Sequence, residues 1–248
     1  MNTIYILWLR QIKRYSRSRS RIVGSLGQPL LFLFALGFGF GPTFQKANGG
    51  NYFQFLAPGV IAMSILFTAV FSGIEVIWDR QFGFLKETLV APVPRLAIMI
   101  GRTLGGATVA VIQGLIVFAI TLLAGFRPEN WALLPVAFLF MFLIALTFTA
   151  LGTGIASVLE DFQGFQLIMN FLVMPLFFLS GSLFPINDVP PVLAVIVRLD
   201  PLSYGIDGLR GSLLGMSTWG IPLDLGVLCV ITALLLAIGS YLFSKIQI

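Results

Sequence analysis

The chain has no histidine at all and a single cysteine, Cys229, in 248 residues. The first absence removes the commonest general base and the commonest transition-metal ligand. The second excludes an intramolecular disulfide framework and any multi-cysteine metal site. Charge is also scarce, at 10% Asp, Glu, Lys and Arg against 58% hydrophobic residues. A soluble domain carries about 25% charged residues, so this composition belongs in lipid. No cleavable leader is expected: the apolar run from Ile4 to Leu9 is short, and the basic cluster follows it. With no paired carboxylates apart from Glu160 and Asp161, hydrolytic or metal chemistry has little to work with. The expectation is no catalytic residue and no bound metal.

What the chain does have is long uncharged runs, at 22–45, 47–74, 103–126, 130–159, 162–187 and 225–244. A helix rises 1.5 Å per residue, so about 20 residues cross the ~30 Å hydrocarbon core. Six transmembrane helices are expected, near 22–43, 54–76, 102–125, 132–157, 164–183 and 223–243. Two further runs, 189–197 and 211–223, are too short to cross. The fold class is all-α integral membrane, one domain over 1–248.

Lys and Arg fall unevenly. Six lie within 10–21, four more between the second and third runs (Arg80, Lys86, Arg95, Arg102), and Lys245 is near the end. With six spans these share one side, and positive-inside bias makes it cytoplasmic for both termini. The expected location is the plasma or inner cell membrane.

The first 21 residues read as an amphipathic interfacial helix. Arg10, Lys13, Arg14, Arg17 and Arg21 form one stripe at helical spacing, with Tyr5, Trp8, Ile12 and Tyr15 opposite. The rings suit the headgroup layer and the cations suit anionic lipid; docking of a cytoplasmic partner by the stripe is the alternative. Next to a first span, the Arg/Ser run at 16–21 does not point to nucleic acid.

The segment 79–95, "DRQFGFLKETLVAPVPR", spaces Phe82, Leu85 and Leu89 as the apolar stripe of a short helix, flanked by Arg80, Lys86 and Glu87. Pro92 and Pro94 stop it. A protruding helix of this kind offers a docking surface to a soluble partner, with Glu160 and Asp161 of the "LEDFQGF" loop as a second contact. Glu75 is placed at the cytoplasmic interface one turn from Asp79, and no charge is expected deep in a span. Gly101 with Gly105 is a GxxxG pair, and Gly152 with Gly154 is a second small-residue site, both suited to close helix packing in lipid. Pro29 and Pro175 are expected to kink their spans.

Residues 184–215 contain an insert that is neither span nor linker. Asp188 before Pro190 and Pro191 opens a short helix, and Asp200 before Pro201 ends it. A second short helix is expected from Ser203, with Asp207 and Arg210 paired at i, i+3. Irregular backbone at membrane depth survives only when buried in protein or lining a cavity. The insert is therefore expected as an outer re-entrant hairpin between spans five and six. Its gate residues are Pro185, Pro190, Pro191, Arg198, Asp200, Pro201, Tyr204, Asp207 and Arg210.

Two stretches, "WDRQFGFLKETLVAPVPR" after the second span and "SGSLFPINDVPP…LDPLSYGIDGLRG" after the fifth, resemble signature segments of the type-2 ABC exporter permeases, of the daunorubicin-resistance or multidrug kind. The resemblance covers essentially the whole chain. It implies that 79–91 is the coupling helix seated in a separate ATPase subunit, that 184–211 closes the exit, and that the path runs between the two copies of a homodimer or between this chain and a sister permease. ATP and Mg would sit on the partner. The chain's four lysines, Lys13, Lys46, Lys86 and Lys245, lie in no phosphate-binding G-x-x-x-x-G-K-[ST] motif, so no cofactor is expected here. An amphipathic cargo, drug or lipid, suits a path with few buried charges; a polysaccharide or glycolipid exporter, or an ion-coupled carrier, is the alternative.

Overall fold

A computed structural model describes residues 3–41, 51–84, 93–186 and 190–245. Among them the regular structure is helical: α1 (Thr3–Arg17), α2 (Arg19–Gly39), α3 (Tyr52–Ser72), α4 (Ile74–Gln81), α5 (Arg95–Leu123), α6 (Leu134–Val158), α7 (Phe162–Leu179), α8 (Pro191–Leu199), α9 (Pro201–Leu214) and α10 (Ile221–Ser244). A 3-10 turn, Trp131–Leu133, leads into α6.

Among the described residues, six stretches are long and apolar enough to cross a membrane: Ile22–Gly39, Tyr52–Gln81, Arg95–Leu123, Trp131–Val158, Phe162–Leu179 and Ile221–Phe243. They match the six expected spans. The third differs at its start, because its helix begins at Arg95 with Pro94 just outside it. Arg102, read from sequence as a loop cation, therefore stands two turns inside a helix.

α6 occupies the centre and packs on α3, α5, α9 and α10. Close approach depends on glycine. A Cβ on Gly73, between α3 and α4, would meet the Gly152 carbonyl of α6, and one on Gly152 would meet the Val70 carbonyl. Both obstacles are backbone, so neither position has room for a side chain. The GxxxG pair does different work from span–span packing: Gly101 and Gly105 seat α1 on α5. A Cβ on Gly101 would lie 3.0 Å from the Ile4 carbonyl oxygen, and one on Gly105 would lie 2.6 Å from Gln11 Cγ.

The insert after α7 forms two short helices. Pro190 and Pro191 stand at the start of α8, while Asp188 is outside the described residues. Asp200 separates the two helices, and its carboxylate caps α9 by accepting the Leu202 amide at 2.8 Å. The second helix thus starts at Pro201, two residues before the expected Ser203, because proline is favoured at a first helical position. α9 also reaches further in than a wedge between spans five and six. It packs mainly on α3, α6 and α10 and touches α7 only lightly, with its residues from Leu202 to Leu214 buried apart from Tyr204. α8 stays on the outside, with Val192, Val195, Ile196 and Leu199 exposed.

Candidate functional site: an ionic junction and a buried short helix

At one end of the bundle, α1, α4 and α5 converge on two carboxylates. Asp79, on the last turn of α4, accepts Arg10 of α1 at 2.8 Å on each oxygen and Arg102 of α5 at 2.6 Å. Arg14 lies 3.7 Å from Glu75, one turn earlier on α4. Glu75, Asp79 and Arg102 are all buried. Burying ions is costly and is offset only by close pairing, which the shared Asp79 supplies.

Two expectations change here. The α1 stripe is not turned wholly outward: Lys13 and Arg17 are exposed, but Arg10 and Arg14 are drawn to α4. Arg21 lies in α2. The opposite face of α1 packs on α5, where Trp8 Nε1 donates to Thr108 Oγ1 at 3.0 Å and the Tyr15 hydroxyl donates to Gln113 Oε1. Tyr5, by contrast, is half exposed. Second, Arg102, expected between the second and third spans, stands two turns inside the helix of the third span. Its signal in the sequence was the helix start after Pro94, which makes Arg95 rather than Arg102 the first residue of the third span.

The segment expected to dock a partner follows directly. Arg80 and Gln81 complete α4, and the chain turns at Phe82 and at Gly83, whose φ of +80° suits glycine. Helix α4 therefore ends before the expected stripe begins, with Phe82 two-thirds exposed. Leu85, Lys86, Glu87 and Leu89 lie outside the described residues. The two acidic residues of the α6–α7 loop are separated in role. Glu160 pairs with Arg80 at 2.9 Å, so two of the expected contact residues engage each other. Asp161 caps α7 by accepting the Gly164 amide.

At the opposite end, α9 is held by two charges that do not pair directly. Asp207 accepts the Ser217 hydroxyl at 3.0 Å and the Thr218 and Trp219 amides at 2.8 and 2.9 Å. It thus organises the turn into α10. Arg210 points the other way. It donates to the Gly181 carbonyl at 3.0 Å, and its guanidinium carbon lies 3.9 Å above the Phe55 ring. The expected i, i+3 pair gives way to backbone partners because those groups are buried and need donors and acceptors. Tyr52 of α3 donates its hydroxyl to the Leu183 carbonyl at 3.0 Å, tying the same turn after α7. Pro185 is half-buried in that turn, Arg198 is exposed, and its carbonyl accepts the Tyr204 hydroxyl at 2.8 Å. Arg210 therefore links α9 to the turn that leads toward α8.

The exposed faces of the spans differ in chemistry. On α10 the large exposed residues are Leu223, Val230, Leu234, Ile238 and Tyr241. On α2 and α7, amides are exposed: Gln28 on the first, and Gln163, Gln166 and Asn170 on the second. The two helices adjoin through the Phe32 and Phe177 rings, 5.9 Å apart. Between α2 and α3, a cavity of about 260 Å³ is lined by Ser25, Gln28, Thr68 and Phe71, among others. No group of three or more metal-ligating side chains occurs among the described residues.

Comparison with known proteins agrees with this architecture. The sequence profile of the ABC-2 type transporter family matches residues 2–214. Nodulation protein J of Rhizobium leguminosarum bv. viciae is 28% identical over 227 residues, covering 90% of this chain and 87% of that protein. The putative transport permease ycf38 of Cyanophora paradoxa is 28% identical over 261 residues, covering 98% and 88%. The inner membrane transport permease YadH of Escherichia coli (strain K12) is 28% identical over 227 residues, covering 90% and 88%. A profile match across most of the chain, on a bundle with six described helices long and apolar enough to cross a membrane, makes this protein a member of the ABC-2 type transporter family.

Proposed function

We propose that the chain is the transmembrane permease subunit of an ATP-driven exporter. It couples to a separate ATPase through 79–95, and two copies flank a path for an amphipathic cargo such as a drug or lipid. The observation that carries the two-copy path is the contrast between exposed faces. Side-chain amides turned to hydrocarbon are costly, whereas the α10 face is apolar and suits lipid. The α2–α7 face, mixing Gln28, Gln166 and Asn170 with Leu167 and Phe171, suits a second copy and a path with polar and apolar walls. The few charges along it favour an amphipathic cargo over an inorganic ion.

Orientation follows the positive-inside rule. The α1 stripe, the α4 end and Lys245 lie in the cytoplasm, and α8 and α9 lie at the outer face. Movement of the docked ATPase would then pull on the turn after α4, and the Asp79 junction would carry that pull to α1 and α5. The Arg210 contacts at the far end would open as α9 shifts. A polysaccharide or glycolipid cargo is a second reading, favoured by the exposed amides, which match hydroxyl-rich ligands.

Two measurements test this. Mild-detergent purification from native membranes should bring down a soluble subunit carrying a Walker motif in equal amount. A chain that emerges alone under several gentle conditions would shift weight to an ion-coupled carrier. With Cys229→Ser as background, Asn170→Cys should form an oxidative dimer and Val230→Cys should not. The reverse pattern would place the second copy on α10.

A further inference from the structure

Beside the ionic junction lies an open cavity of about 580 Å³, lined by Arg10, Arg14, Trp78, Asp79, Phe82 and Phe84. Its charges do not balance. Three guanidiniums, Arg10, Arg14 and Arg102, meet two carboxylates, Glu75 and Asp79, so the described residues of the junction carry one surplus positive charge. Asp79 is already shared by two of the arginines. Arg14 reaches Glu75 only at 3.7 Å, and its side chain remains 39% exposed. Behind them Arg102 is buried, and its Nε and Nη1 have no hydrogen-bond partner among the described residues. A buried cation so placed draws an anion toward the junction.

The rim is aromatic. Trp78, Phe82 and Phe84 are 42%, 67% and 54% exposed. Trp78 and Phe82 meet edge to face at 5.9 Å, giving the lining an apolar wall. An anion alone would leave that wall unused, and an apolar ligand alone would leave the arginines unanswered. A ligand with an anionic head and a hydrocarbon tail satisfies both. The cavity opens beside α1, whose Tyr5 and Ile6 are about half exposed, as befits a helix lying in the headgroup layer.

We propose that this cavity is a binding site for one anionic phospholipid per chain. The headgroup phosphate sits on Arg14 and Arg10, and the acyl chain lies across Trp78, Phe82 and Phe84. Such a ligand competes with Asp79 for Arg10 and leaves Asp79 to Arg102, loosening α1 from α4 at the point where the docking segment begins. The site needs only this fold, but it shares Asp79, Phe82 and Phe84 with the segment 79–95 proposed above to couple to the ATPase.

Native mass spectrometry of the full chain in detergent tests it, with phosphatidylglycerol, phosphatidylcholine and inorganic phosphate as probes. The expected result is one retained phosphatidylglycerol per chain, with neither phosphatidylcholine nor phosphate retained. Arg14→Gln should weaken retention by about tenfold, the scale of one lost charge-assisted contact. Arg14 is half exposed and loosely paired, so this variant spares the folded core. Arg19→Gln, on an exposed arginine outside the cavity, should leave retention unchanged, and Trp78→Ala should reduce it. Equal retention in the wild type and Arg14→Gln would overturn the site. Displacement by inorganic phosphate would overturn the lipid assignment in favour of a free-anion site. Loss of ATPase capture in Arg14→Gln with lipid retention intact would give the surface to a protein partner instead.

Discussion

Arg102 of α5 donates to Asp79 of α4 at 2.6 Å, and both side chains are nearly excluded from solvent, at 3% and 6%. The pair joins the third span to the end of the second, at the start of the proposed docking segment. Arg10 adds a third element by gripping the same carboxylate from α1. A pull on the α4 end thus reaches two other helices through one side chain.

Removing one partner of a buried ion pair leaves an uncompensated charge, which costs about 3–5 kcal/mol. Asp79→Ala should therefore lower the unfolding free energy of the purified chain by about that amount. Replacing both partners, as Asp79→Leu with Arg102→Met, should recover most of it, because apolar side chains of similar volume avoid the desolvation cost. Denaturant unfolding in detergent gives both numbers. A double variant no more stable than Asp79→Ala would show that the pair does more than balance charge.

The six spans were legible because uncharged runs of sufficient length are a direct consequence of the bilayer's thickness. The two short helices after the fifth span were legible as well, since Pro190, Pro191, Asp200 and Pro201 are local signals that act on the backbone beside them. The ionic junction was not. Arg10, Asp79 and Arg102 are separated by 69 and 23 positions, and no periodicity reports which stripe of α1 faces inward. The same holds for Asp207 and Arg210. Their spacing suggests a pair, and only burial among carbonyls and amides decides otherwise.

Helix α1 should detach when its glycine seat is filled. A Cβ at Gly101 already meets the backbone of Ile4 at 3.0 Å, and a larger side chain requires the helix to move. Gly101→Leu should leave the protein in the membrane but break the Trp8–Thr108 contact. A red-shifted tryptophan emission relative to the same change in a Trp8→Phe background would report that release. Unchanged emission would mean that α1 is held by its arginines alone.

Asp200 gives a pH signature. Burial pushes its carboxyl up to about 7 from 3.8, against the opposing hold of the Leu202 amide. Above about 7 the folded chain carries a buried carboxylate, and below 3.8 it is protonated folded or unfolded. Between those values the folded state binds more protons, so this group's contribution to stability falls as pH rises. The slope is at most about 1.4 kcal/mol per pH unit. Asp200→Asn keeps a capping oxygen without the charge and should flatten this fall, while Asp200→Ala should lose about 1 kcal/mol of cap energy as well. Thermal denaturation in detergent between acid and neutral pH separates the three chains. An unaltered pH profile in Asp200→Asn would exclude Asp200 as its source.

The two ends of the molecule should fail in different ways. Leu85→Asp or Lys86→Glu changes the docking segment and should abolish ATPase association with normal expression in the membrane. Arg210 lies at the other end, held by the Gly181 carbonyl and the Phe55 ring. Arg210→Met keeps much of the apolar contact with Phe55 while deleting the hydrogen bond to the turn after α7. It should leave association intact and raise basal ATP turnover, because α9 is no longer fixed to that turn. Co-purification and ATPase rate, measured on the same preparations, give both readings. Release of the ATPase by Arg210→Met would mean that the arginine end faces the cytoplasm, reversing the orientation. Retention in both docking variants would remove 79–95 from the coupling role and leave the Glu160–Asp161 loop to carry it.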